Sequence, residues 1–469
     1  MKIPEKYSAT LLISLSVILY FLFAYFLERI DFNSLLFLWI SLFTCFYLLM
    51  KNNATHVSTL VGLTVLFRLI FLFAIPNLSQ DFYRFIWDGR MILEGLNPYL
   101  SLPQTFIEQG IYPIPEALNL YDGMGKMNGS HYTNYPPINQ LCFVIAGIIA
   151  NKSIFGSVIV LRIIIILADI GILYFGKKIL EKANLPIKNI FWYLLNPFII
   201  IELTGNLHFE PLMLFFLIWS IYKLQQQKWL WSSVLLACSI SVKLIPLLFL
   251  PLFFQWFIKN KTVNSNSEVS IRTQSRTKSF LELLIFYTII LVTTILLFLP
   301  FYSSELLNNY LNSVGLWFEK FEFNASFYYV FREIGYQFRG WNEIAIIGKL
   351  MPILTIIFLG FITFFRKNTS LKGLITSMLF GLSFYYFTTT TVHPWYLSTL
   401  IILSIFTKYR FPIIWSFVIV LSYQAYANSP WKEDLWLIGL EYFIVFLFLC
   451  WELIYKNKTN KDKSSIIQV

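Results

Sequence analysis

Residues 279–299 read SFLELLIFYTIILVTTILLFL, an apolar run interrupted by a single charged side chain, Glu282. A helix needs about 20 such residues to cross a hydrocarbon core. Runs of similar character occupy 9–26, 34–50, 56–76 and 435–455, and together they predict an all-α, polytopic integral membrane bundle. The composition agrees: of 469 residues, 57% are apolar and only 13% charged, where a soluble domain carries about a quarter charged residues. A soluble fold is excluded.

The net charge of +11 suggests nucleic acid only if the basic residues gather on one face. Here they lie between apolar runs, which points to membrane topology instead. Cys45, Cys142, Cys238 and Cys450 sit inside apolar runs without metal-ligand spacing. They read as small buried hydrophobes rather than a disulfide framework or a zinc site. Residues 1–8, with Lys2 and Lys6, resemble the start of a signal peptide. The run that follows lacks a small-residue cleavage site and precedes further spans, so it reads as a retained first span.

With the N-terminus in the cytoplasm and a crossing at every apolar run, the chain is expected to make about 14 spans, some of them short. The basic connections near 177–188, 223–228, 259–278, 366–367, 408–410 and 456–458 then fall on the cytoplasmic side. This register requires 136–151, which begins Tyr135-Pro136-Pro137, to be an interfacial helix rather than a span. Residues 77–152 become one long outer segment, holding Asp81, Trp87, Asp88, Arg90, Asn97 and Pro98. A second outer loop, 301–341, holds Glu319, Asn324, Tyr328 and Arg332, and the polar stretch 260–278 reads as a cytoplasmic linker. No internal repeat is visible, which weighs against a transporter built from inverted repeats.

The strongest local signal runs from Asp81 to Arg90 and continues through Gly95-Leu96-Asn97-Pro98-Tyr99. As a helix over 81–94, it places Asp81, Arg84 and Asp88 on one face by i+3 and i+4 spacing. An ordinary juxtamembrane helix with ion pairs and a Trp-Tyr belt would show the same pattern. Charges within apolar runs cost about 2.5–3.5 kcal/mol each on insertion scales, so Arg162, Asp169, Glu202, Glu210 and Lys243 need partners. Arg162 and Asp169, two helical turns apart, read as structural. His208 and Glu210 fall at an outer hairpin tip, and His208 and His393 reach the same face as Asp81, which favours a functional role. Lys243, ahead of Pro246, either meets a phosphate or snorkels.

The Asp81 segment resembles the first outer loop of the GT-C glycosyltransferases, membrane enzymes that use polyprenyl-phosphate sugars, and among them the mannosyltransferases. The matching positions are Asp81, Tyr83, Asp88, Gly95, Pro98 and Tyr99. Tyr135-Pro136-Pro137 resembles the family's Tyr-Pro-Pro, and Arg162 with Asp169 its Arg…Ala-Asp. Asn196-Pro197…Glu202…Gly205-Asn206-Leu207-His208-Phe209-Glu210 resembles its Asn-Pro…Gly-His-Phe-Asp hairpin. Val242-Lys243-Leu244-Ile245-Pro246 and His393-Pro394-Trp395-Tyr396 resemble its Thr-Lys-x-x-Pro and His-Pro-Trp-Tyr. The motifs keep the family's order along most of the chain. Two features depart: an additional pair of spans precedes the catalytic loop, and Gln80 stands where an acidic residue often precedes the first catalytic one.

The resemblance implies transfer of a hexose, with mannose favoured, from a polyprenyl-phosphate donor to a hydroxyl of a glycolipid or glycan acceptor, with inversion. Asp81 and Asp88 are the candidate catalytic carboxylates. Arg84, Arg90, His208, Glu210, Lys243 and His393 are candidates for binding lipid phosphate and sugar. No cofactor or protein-bound metal is implied, and nucleic acid is excluded as a partner. The competing readings are a transporter or flippase of lipid-linked glycans and a non-enzymatic assembly partner. The short N-terminus and overall pattern point to a bacterial cytoplasmic membrane with the catalytic loops outside. In cysteine-accessibility labelling, positions introduced in 77–152 and in 260–278 are expected to react from opposite sides; labelling from one side overturns the topology.

Overall fold

The computed structural model describes residues 5–52, 55–259 and 276–465. The linker expected at 260–278 lies outside the described residues except for its last three, which begin the helix Arg276–Phe298. Helices α1, Glu5–Phe26, and α2, Phe32–Lys51, form a hairpin, in which the Asp31 side chain caps α2 by accepting from the Ser34 amide at 3.1 Å. After α3, Val57–Ile70, come α4, Asp81–Leu93, α5, Pro103–Glu108, α6, Ala117–Gly129, and α7, Pro137–Ala150. Helix α8, Ile154–Lys182, follows. Beyond it the helices Glu210–Gln225, Trp229–Ile240, Ile344–Phe365, Leu371–Thr388 and Leu435–Ser465 carry most of the remaining chain. Among the described residues there is no strand, only a parallel bridge between Phe323 and Thr391.

Among the described residues six helices are long and apolar enough to cross a membrane, and a seventh crossing results if Pro197–Gly205 and Glu210–Gln225, bent by 115°, count as one. The expected number of about 14 is therefore not what the helices give. The physical reason is length: Val57–Ile70, Pro137–Ala150, Trp229–Ile240, Ile245–Lys259, Pro394–Ile405 and Phe411–Ala427 are apolar but short. Pro137, Pro246, Pro251, Pro394 and Pro412 start or interrupt four of these pieces. Leu291, Leu296, Ile356, Phe361, Phe443 and Leu447 are exposed along three of the six long helices, as lipid-facing positions are in a membrane protein. The cysteine expectation is half met. Cys45 and Cys142 are buried, Cys238 is half-buried, and Cys450 is exposed among those outward apolar residues.

Helix α4 lies across α6 and α7, and α7 packs on α8. The α4–α7 contact is close because residue 89 is glycine: a Cβ there would come within 2.4 Å of the Phe143 carbonyl oxygen. One turn earlier, Phe85 stacks on Phe143 with ring centroids 4.7 Å apart. Gly95, at φ +75°, then turns the chain out of α4 in a conformation that favours glycine. Asn97 donates to the Phe301 carbonyl at 2.9 Å and Asn309 to the Tyr99 carbonyl at 3.1 Å. The Gly95–Tyr99 motif thus docks the segment after α4 on residues 301–309.

Two buried arginines hold the bundle where helices break. Arg68 pairs with Asp169 at 2.8 Å and donates to the Thr64 and Leu194 carbonyls. Arg162 donates to the carbonyls of Thr204 and Gly205, where a π-helical turn over Ile200–Gly205 ends, and of Leu72, just past α3, at 2.8–3.0 Å. Arg162 and Asp169 are thus structural, as their spacing suggested, but each pairs with another part of the chain. Removing one partner strands the other charge in a water-poor interior. Asp169→Ala is expected to lower stability by about 3–5 kcal/mol, seen as a lower melting midpoint and folded yield. Arg68→Met combined with Asp169→Leu should recover much of that loss; an unchanged midpoint for Asp169→Ala overturns the assignment.

Candidate active site

A cavity of about 500 Å³ opens at the start of α4, within the range of ligand pockets. Its first wall is Leu78–Asp81, Arg84 and Phe85; its second is the end of α6 and the following turn, from Met127 to Pro136. Lys243–Ile245 and Arg29, from the α1–α2 connection, add charge. The C-terminal half closes the space with Phe321, Tyr385, His393, Trp395, Tyr396, Tyr426 and Trp431.

Asp81 is the first residue of α4, where the Ser79 hydroxyl accepts from its amide at 3.3 Å. Its partly exposed carboxylate accepts from Asn128 Nδ2 at 3.3 Å through Oδ1. Burial raises its pKa above the usual carboxylate range; Lys243, the Asn128 amide and Arg29 pull the other way. Arg84 and Asp88, expected on one face with Asp81, form a fully buried pair at 2.8 Å. Arg84 also donates to the carbonyls of Asn128 and His131, at 2.5 and 3.0 Å. The second Asp88 oxygen accepts from Gln140 at 3.2 Å. Asp88 is therefore behind the cavity wall, not on it. His131 is kept neutral, its pKa lowered to about 4 by burial and by the Arg84 guanidinium.

The other expected residues divide in the same way. Lys243 lines the cavity and pairs with Glu210, which is buried behind it. His393 lines the cavity; its ring stacks on Trp395, 4.5 Å between centroids, and on Phe323 at 5.3 Å. His208 lies on the other face of Trp395 at 3.8 Å and is not part of the wall. The two histidines are thus brought to one aromatic stack. Behind them Glu202 accepts from the Tyr423 hydroxyl at 2.5 Å and approaches His208 at 3.9 Å. Leu207, at φ +62°, holds the strained turn that presents His208. Arg90 is not at the cavity: it donates to the Pro115 and Lys152 carbonyls, both at 2.7 Å, and pairs with Glu116 at 3.2 Å.

From the segment 301–341, Phe321 reaches the cavity. Asn324, Tyr328 and Arg332 instead fix that segment: Asn324 to Glu433 and Glu441, Tyr328 and Arg332 to Glu322. Among the described residues no group of three or more His, Cys, Asp or Glu side chains is set to hold a metal. Sequence reading missed Arg29, Asn128, His131, Tyr426 and Trp431. Only Arg29 carried a signal, as a lone arginine in the short connection between two apolar runs.

The family model for the MptA_B family, described as alpha-(1->6)-mannopyranosyltransferase, N-terminal domain, matches residues 19–259. The match spans just over half of the chain and takes in every expected site residue except His393. None of the curated proteins compared matches this chain. On its helices and this match, the chain is an integral membrane protein that belongs to the MptA_B family of mannosyltransferases.

Proposed function

We propose that the chain transfers mannose from a polyprenyl-phosphate donor to a hydroxyl of a glycolipid or glycan acceptor at the outer face of a bacterial cytoplasmic membrane, with inversion at the anomeric carbon. Family membership makes it an enzyme of mannosyl transfer and sets the transporter reading aside. The donor, the acceptor and the sidedness are our reading. The observation that carries it is the partly exposed Asp81 carboxylate in an aromatic-lined cavity that also holds Lys243 and Arg29.

Asp81 acts as the general base. Its carboxylate takes the proton of the acceptor hydroxyl as that oxygen bonds to the anomeric carbon. The bond from that carbon to the phosphate oxygen breaks on the opposite side, and its electron pair leaves with the lipid phosphate. Asn128 fixes one carboxylate oxygen, leaving the other for the proton. Asp88 positions Arg84 and does not touch substrate. Arg84 keeps one buried NH2 group without a hydrogen-bond partner, and with Lys243 it is suited to steady the departing phosphate. The rings of Tyr135, Trp395, Tyr396 and Trp431 offer apolar faces for a pyranose and an isoprenoid chain. The family's description names an α-(1→6) bond; with inversion, an α product requires a β-linked donor.

Asp81→Asn keeps size and hydrogen bonding but cannot take a proton. Its turnover with a polyprenyl-phosphate mannose is expected to fall at least ~100-fold, with donor binding retained. Asp88→Asn should lose less turnover but melt at a lower temperature, because the Arg84 charge loses its carboxylate partner. The reverse order of turnover losses moves the base to Asp88; two active variants remove the mechanism. The pH dependence follows from the same carboxylate. The base works only when ionised, so activity is present above its pKa and lost as pH falls through it. Lys243, Arg29, Glu210, Tyr135, Tyr396 and Tyr426 face Asp81. Because burial dominates over these groups, the acid limb of kcat/KM should lie above the ordinary carboxylate value of about 3.9. A limb at or below that value contradicts the assignment.

A further inference from the structure

We propose that Arg29, on the connection between α1 and α2, is the guanidinium that grips the phosphate of the lipid-linked donor. The inference rests on the donor class proposed above and adds a residue from the extra N-terminal hairpin. Three strong cations line the cavity: Arg29, Arg84 and Lys243. Arg84 is committed to Asp88 and two carbonyls, and Lys243 to Glu210. Arg29 faces Asp81 but forms no ion pair with it or with another described carboxylate, and its Nε is buried without a hydrogen-bond acceptor. A buried donor left unmade is costly, unless a ligand supplies the acceptor.

The side chain is held where such a ligand would sit. Its guanidinium lies 3.5 Å from the centroid of the Tyr426 ring, which fixes the plane and leaves N–H edges for two parallel bonds to a phosphate. Asn77 donates to the carbonyls of Phe23 and Leu27, at 2.8 and 3.0 Å, so the connection is tied to the segment leading into Asp81. Neighbouring Asp31 is occupied in capping α2. On either side of Arg29, Phe26 and Ile30 are exposed apolar residues. That surface suits a phosphate carried on a hydrocarbon chain better than a free one.

The test uses the full-length protein in phosphatidylcholine nanodiscs, titrated with a short polyprenyl monophosphate, with inorganic phosphate and with phosphatidylglycerol. The wild type should bind the polyprenyl monophosphate in preference to the other two. Arg29→Gln should weaken that binding about 10–100-fold, the usual worth of a charge-assisted pair of bonds, and raise the donor KM in step while the acceptor KM stays put. Arg29→Lys should recover a large part of the loss, which separates charge from folding. Equal affinity in wild type and Arg29→Gln overturns the role of Arg29 and leaves the donor class standing. Equal binding of phosphatidylglycerol or inorganic phosphate also overturns it, marking a general anion contact. Failure of the wild type to bind polyprenyl monophosphate overturns the donor reading itself.

Discussion

The buried pair between Arg84 and Asp88 is the interaction on which the rest of the site depends. Its two partners sit one turn apart on α4, yet what they hold lies elsewhere: the carbonyls that end α6, at Asn128 and His131, and the Gln140 amide on α7. Asn128 then turns its own side chain to Asp81. Three helices and the candidate base are therefore fixed by one ion pair. A lysine could not replace it, because a point charge cannot address a carboxylate and two carbonyls in separate directions. The neutrality of His131 belongs to the same arrangement, since a second cation beside Arg84 would face it across a poorly screened gap.

Elsewhere the chain uses the same pairing of cations with backbone oxygens. Arg68, Arg90 and Arg162 each donate to carbonyls that helix ends or turns leave without an amide partner. In a membrane protein such groups have little water to turn to. Arginine makes the interruption of helices tolerable, and the interruption shapes the cavity's surroundings: the broken stretch from Asn196 to Phe209 ends in the turn that sets His208 against Trp395.

Much of this was legible in the sequence. Hydropathy gave the membrane bundle, and i+4 spacing gave a helix from residue 81 that contains a real ion pair. Spacing put both carboxylates within reach of Arg84, but not which of them it pairs with: it is drawn to Asp88 and two distant carbonyls. The long helices account for six or seven of the expected 14 or so crossings, and the other apolar runs fold as shorter pieces cut by prolines and bends. Asn128, Tyr426 and Trp431 left no trace, since nothing in their local sequence says that they meet Asp81 or Arg29 across the bundle. Arg90 looked like Arg84 in sequence and differs from it only in what the fold places within reach.

The stack of His208, Trp395 and His393 joins the half of the chain matched by the family to the half that is not. Asp81, Arg84 and Lys243 come from the matched half, whereas Phe321, Trp395, Tyr426 and Trp431 come from the other. The chemistry and much of the shape of the cavity are thus inherited through different parts of one chain. Descendants could drift in the acceptors they fit by altering the later half while the earlier half keeps the reaction. Such drift has a hinge point at residue 395, where any new side chain must still lie flat between two imidazoles.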